Sequence, residues 1–163
     1  MKTKQIALTG LLIALALVLS YLESLVPLSF AVPGIKLGLP NLVIVFALYR
    51  LRPSAAAAIS LLRVLLVSLL FGSVLSLAYS AAGAALSLAV MLLLKRSGRF
   101  GCTGVSVAGA VSHNLGQILT AAALLETASL AWYFPVLCLS GTVAGVCIGL
   151  LSALLVKRVP LEK

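Results

Sequence analysis

Val32-Pro33-Gly34-Ile35-Lys36-Leu37-Gly38-Leu39-Pro40-Asn41 is the stretch whose reading decides the fold. The chain is apolar on both sides of it, yet here prolines, glycines, a lysine and an asparagine crowd together. Pro33 and Pro40 have no N–H to donate, and Gly34 and Gly38 admit backbone angles that other residues avoid. Irregular backbone at membrane depth persists only where protein or a water-filled cavity covers it. Read that way, the stretch is the rim of a ligand cavity, with Lys36 and Asn41 as its polar groups. The plainer reading is an extramembrane turn that begins a second helix.

Composition places the surroundings in a membrane. Of 163 residues, 63% are hydrophobic and 9% charged, with a mean hydropathy of +1.25; soluble domains are about half apolar and about a quarter charged. The length fits one bundle, so residues 1–163 are read as a single transmembrane domain. A net charge of +9 would suggest a nucleic-acid partner in a soluble protein. Here the distribution of the charge matters more than its sum, and no nucleic-acid partner is expected.

The acids are Glu23, Glu126 and Glu162, and the chain has no aspartate. That excludes an Asp-rich motif holding Mg²⁺ on a diphosphate and a Walker B acid; no Gly-x-x-x-x-Gly-Lys-Ser/Thr loop occurs either. Cys102, Cys138 and Cys147 lack Cys-x-x-Cys spacing and read as small packing residues. Neither a metal site nor a cofactor is expected, and no enzyme is read from the chain.

Outward from the organising stretch, hydrophobic runs predict helices over residues 5–22, 37–49, 54–71, 74–94, 105–125 and 131–156, with 24–36 as an outer loop or half-helix. The first run could pass for a signal sequence, but it lacks a small-residue cleavage site and further spans follow. The second is too short to span alone when about 20 residues are needed, so the organising stretch completes the crossing. Every Lys and Arg except Lys36 and Arg63 falls in the N-terminal tail, at 50–53, at 95–99 or in the C-terminal tail. Six spans with both termini cytoplasmic satisfy the positive-inside rule at each of these loops. The fold expected is therefore an all-α integral membrane protein, a six-transmembrane-helix bundle. Gly10 and Ala14 on the first helix, and Gly141, Gly145 and Gly149 on the last, are spaced for close helix packing.

Some residues in the spans could carry chemistry. Arg63 lies about 14 Å into the third helix at 1.5 Å per residue, near the bilayer midplane. A charge there marks a functional site or a paired partner; the alternatives are a structural ion pair or snorkelling. Ser106, Gly109, His113, Gly116, Gln117 and Thr120 share one face of the fifth helix, and His113-Asn114-Leu115-Gly116-Gln117 is the densest polar cluster in any span. A buried histidine is as readily a satisfied core residue as a ligand contact. On the fourth helix, Ser73, Ser76, Ser80, Gly83 and Ser87 form a stripe suited to packing, with Tyr79 and Ser80 as the binding candidates. Lys36, Asn41, Arg63, His113 and Gln117 all map to the middle or outer half of the membrane. Positive charge and amides suit a phosphate, diphosphate, carboxylate or quinone-like carbonyl.

Pro33 to Asn41, Arg63-Val64-Leu65-Leu66, Phe71-Gly72-Ser73, Tyr79-Ser80-Ala81-Ala82-Gly83 and His113-Asn114-Leu115-Gly116-Gln117 together resemble the Gx transporter family, also labelled heptaprenyl diphosphate synthase component I. That family resembles the substrate-binding (S) components of energy-coupling factor transporters. The resemblance implies an S-component-like bundle in the bacterial cytoplasmic membrane that captures a small, anionic or isoprenoid-, quinone- or vitamin-like ligand. Its implied partners are a transmembrane coupling protein and two ATPases. S components often carry Ala-x-x-x-Ala on the first helix, where this chain has Gly10-x-x-x-Ala14. The synthase label implies a second role, as a non-catalytic membrane partner in prenyl diphosphate or quinone metabolism. The family's association with flavin and quinone genes extends that second role to linked electron transfer.

Overall fold

The computed structural model describes residues 2–26 and 37–159. Among them are six α-helices and a 3-10 turn: α1 Lys2–Leu25, α2 Leu39–Arg50, α3 Pro53–Phe71, α4 Val74–Ser97, α5 Cys102–Leu124, the turn Ala128–Tyr133, and α6 Phe134–Arg158. No strand occurs among the described residues. The chain is an all-α membrane bundle. α1, α3, α4 and α6 contain stretches long and apolar enough to cross a bilayer. α5 is as long but interrupts its apolar surface with serines, His113, Asn114 and Gln117.

Several boundaries differ from the sequence reading, each for a local reason. α1 runs three residues beyond the expected end, so Glu23 sits on the helix and not in a loop. α2 starts at Leu39, two residues late, because Gly38 takes a left-handed conformation (φ 74°) and acts as N-cap. Glycine adopts that geometry without a Cβ penalty, and Pro40 in the first turn needs no N–H there. The last helix starts at Phe134, not residue 131, after the 3-10 turn. Residues 27–36, with most of the expected outer loop and Lys36, lie outside the described residues.

α2 is the axis of the bundle. It packs against α1, α3, α5 and α6, and every residue from Val43 to Leu48 is buried. A helix apolar on all sides belongs in the interior. Around it lie Leu12 and Ala16 of α1, Ala56 and Ile59 of α3, Met91 of α4 and Val105 of α5. The outward faces carry exposed large apolar residues such as Leu15, Leu69, Leu139 and Leu150, as suits helices solvated by lipid.

α5 makes its closest contacts with α4 and α6 through glycines. A Cβ on Gly83 would lie 2.7 Å from the His113 carbonyl oxygen, and one on Gly116 would lie 2.8 Å from Gly83 Cα. Lower down the same seam, Ser87 donates to the Gly109 carbonyl at 2.8 Å. On the other side, Gly145 and Gly149 of α6 meet Val107 and Thr103 of α5, where added Cβ atoms would fall 2.7 and 2.6 Å from the facing Cα atoms.

One end of the bundle gathers basic side chains on helix C-termini. Lys95 Nζ donates to the Leu48 carbonyl and lies 5.2 Å from the centre of the Tyr49 ring. Arg50 Nη2 donates to the Val159 carbonyl. Cations there meet carbonyls that the helices leave unpaired and oppose the negative end of each helix dipole.

Candidate functional site

α2 spans only 12 residues, about 18 Å at 1.5 Å per residue. Its C-terminus lies at the basic end, so its N-terminus stops inside the bundle. The space left there is a cavity of about 340 Å³. Gly38, Pro40 and Asn41 of the α2 N-terminus line it, together with Arg63 and Ser68 of α3 and His113 and Asn114 of α5. Ser20 and Glu23 of α1, Ser80 of α4 and Gly141 of α6 complete its polar and small-residue wall. The helix register explains the convergence. Asn41, Arg63 and His113 are nine, ten and eleven residues from the basic-end termini of their helices, which places all of them at a depth of roughly 14 to 17 Å.

Each polar group is held differently. The Gly38 N–H donates to Glu23 Oε1 at 2.5 Å. The α1 carboxylate thus meets the N-terminal end of α2, where unpaired N–H groups and the helix dipole favour negative charge. The Asn41 N–H donates to the Gly38 carbonyl at 2.9 Å, closing the first turn. Asn114 Nδ2 donates to the Leu137 carbonyl of α6 at 2.8 Å. The missing side chain at Gly141 makes room for that amide, since a Cβ there would lie 2.8 Å from Nδ2. His113 lines the cavity with its ring against α4, where a Cβ on Gly83 would lie 3.3 Å from Cε1.

Arg63 is the exception. Its Nε is sealed from solvent and has no hydrogen-bond partner among the described residues. A buried donor left unpaired costs about 1–3 kcal/mol, and more when charged. Arg50 Nε, Tyr49 Oη and Ser152 Oγ are likewise buried without a partner among the described residues, but of these residues only Arg63 lines the cavity.

Of the sequence-derived candidates, Asn41, Arg63, Ser80, His113 and Asn114 line one cavity. Tyr79 and Gln117 do not line it. Gln117 is spent on the α4 seam, where its Cγ would lie 2.8 Å from a Cβ on Gly83. Gly10 and Ala14 face outward from α1, with nothing within 4 Å of a Cβ built on Gly10. Ser20 and Ser68 are wall residues that the sequence reading did not select, and Glu23, the one acid near Lys36 and Arg63 in sequence terms, joins them. The signal for the α1 pair was their spacing of three on one helix face. Among the described residues no group of three or more His, Cys, Asp or Glu could hold a metal ion.

These features define a helical membrane protein with a cavity between its helices, lined by apolar and polar residues together. The family described as heptaprenyl diphosphate synthase component I matches residues 12–155, and the chain belongs to that family. No curated protein and no solved structure matches the chain.

Proposed function

We propose that the chain is the substrate-binding membrane component of a transporter of the energy-coupling-factor kind, capturing a small anionic ligand in the cavity beneath the α2 N-terminus. The observation that carries this reading is Arg63, a mid-membrane guanidinium whose residue lines a cavity of about 340 Å³. Cavities of about 300–1,000 Å³ with a few convergent polar groups suit small molecules. Asn41, His113 and Asn114 supply further polar contacts at the same depth, with Ser80 behind them. The chain itself carries no aspartate and no nucleotide motif, so it is read as a non-enzymatic binder that draws energy from partners. On the positive-inside rule both termini and the basic end face the cytoplasm, and the cavity, beyond the other end of α2, lies towards the outer side. The outward-facing Gly10 and Ala14 offer a smooth surface on α1 to a coupling helix.

The family's description favours a second reading, that of a non-catalytic membrane partner of a prenyl diphosphate synthase. Affinity purification of the tagged chain from its own membranes separates the two. Retention of a transmembrane coupling protein with two ATPases supports transport. Retention of a soluble Asp-rich synthase without them refutes it in favour of the second reading.

A further inference from the structure

Resting on the cavity reading above, we propose that the ligand is amphoteric: a compact molecule with one acidic group for Arg63 and an N–H or O–H donor for Glu23. Arg63 and Glu23 line the same cavity and interact electrostatically. No salt bridge within 4.0 Å joins them among the described residues, so both residues border the space a ligand would fill. Glu23 is fixed by the hydrogen bond from the Gly38 N–H to Oε1, and a carboxylate with two oxygens has about four acceptor sites. One bond therefore leaves capacity for a donor from the ligand.

The same carboxylate works against other ligand classes. A diphosphate would bring several negative charges beside Glu23, and like charges in a site of low effective dielectric repel strongly. A plain quinone has no donor for Glu23 and no charge for Arg63.

Matched probes test this with the full chain in lipid nanodiscs. Binding of 4-aminobenzoate (acid plus donor), benzoate (acid alone) and inorganic pyrophosphate is followed by isothermal titration and thermal shift, in the wild type and in Glu23→Gln and Arg63→Gln. The amide introduced by Glu23→Gln keeps an oxygen for the Gly38 N–H, so that variant retains the α1–α2 link. The expected result is at least tenfold tighter binding of 4-aminobenzoate than of benzoate, with the gap closing in Glu23→Gln and both probes failing in Arg63→Gln. Arg63-dependent binding of benzoate at equal or greater strength, or of pyrophosphate above both, overturns the amphoteric ligand and leaves the cavity reading standing. Absence of Arg63-dependent binding by all the probes overturns both.

Discussion

Replacing Arg63 with methionine is expected to stabilise the protein while abolishing ligand binding. Arg63 lies ten residues into α3, about 15 Å from the helix start, and thus half-way through a hydrocarbon core of about 30 Å. Insertion scales place an arginine at that depth about 2.5–3.5 kcal/mol above an apolar residue. The cavity beside it relieves part of that penalty by admitting water, so a net gain of about 1–3 kcal/mol is expected for a flexible apolar replacement. At about 2–4 °C per kcal/mol for a chain of this size, the midpoint of thermal unfolding should rise by about 2–12 °C. The assay is a melt of both proteins in the same detergent without added ligand. A fall of several degrees in Arg63→Met would refute the reasoning, because it would mean that the guanidinium serves the fold. Natural proteins keep destabilising groups where function needs them, and a stabilised but non-binding variant is the signature of that trade.

Other perturbations follow from the packing. Gly83→Ala drives a Cβ to 2.7 Å from the His113 carbonyl oxygen and should destabilise by about 1–3 kcal/mol through overpacking, read as a lowered unfolding midpoint. Gly10→Ala meets nothing within 4 Å and, inside a helix, should stabilise by about 0.5–1 kcal/mol. Gly10→Leu should likewise leave the fold and ligand binding intact but reduce the coupling protein recovered by affinity purification; unchanged recovery would remove α1 from the proposed partner surface. Glu23→Ala leaves the Gly38 N–H without its acceptor and should cost about 1.5–3 kcal/mol, the usual range for a hydrogen bond to a charged group. Glu23→Gln should recover most of that loss, and faster amide hydrogen exchange at Gly38 and Leu39 in the alanine variant would locate it.

The bundle was legible because membrane solvation leaves coarse marks: long apolar runs for α1, α3, α4 and α6, with basic residues gathered between them. Arg63 and His113 were legible for the same reason, since a polar group inside an apolar run has few structural explanations. Glu23 was legible only in part, as the one acid near enough to answer Lys36 or Arg63; the three-residue extension of α1 carries it from the expected loop into the cavity wall. Helical spacing also overreached on α5. It put His113 and Gln117 on one face, but the close approach of Gly83 to Gly116 turns that face into the α4 seam, which absorbs Gln117 while His113 still reaches the cavity. Ser20 and Ser68 carried no signal, because hydroxyls in membrane helices commonly bond their own backbone, as Ser20 does with the Ala16 carbonyl at 2.8 Å.

The most direct measurement of the central claim is native mass spectrometry of the gently purified protein, with identification of any small molecule it retains and a parallel run on Arg63→Ala. Capture in the cavity predicts a retained compact molecule bearing an acidic group, and loss of that mass in Arg63→Ala. Retention of the same molecule by Arg63→Ala, or a wild-type protein that is reproducibly empty, would contradict it.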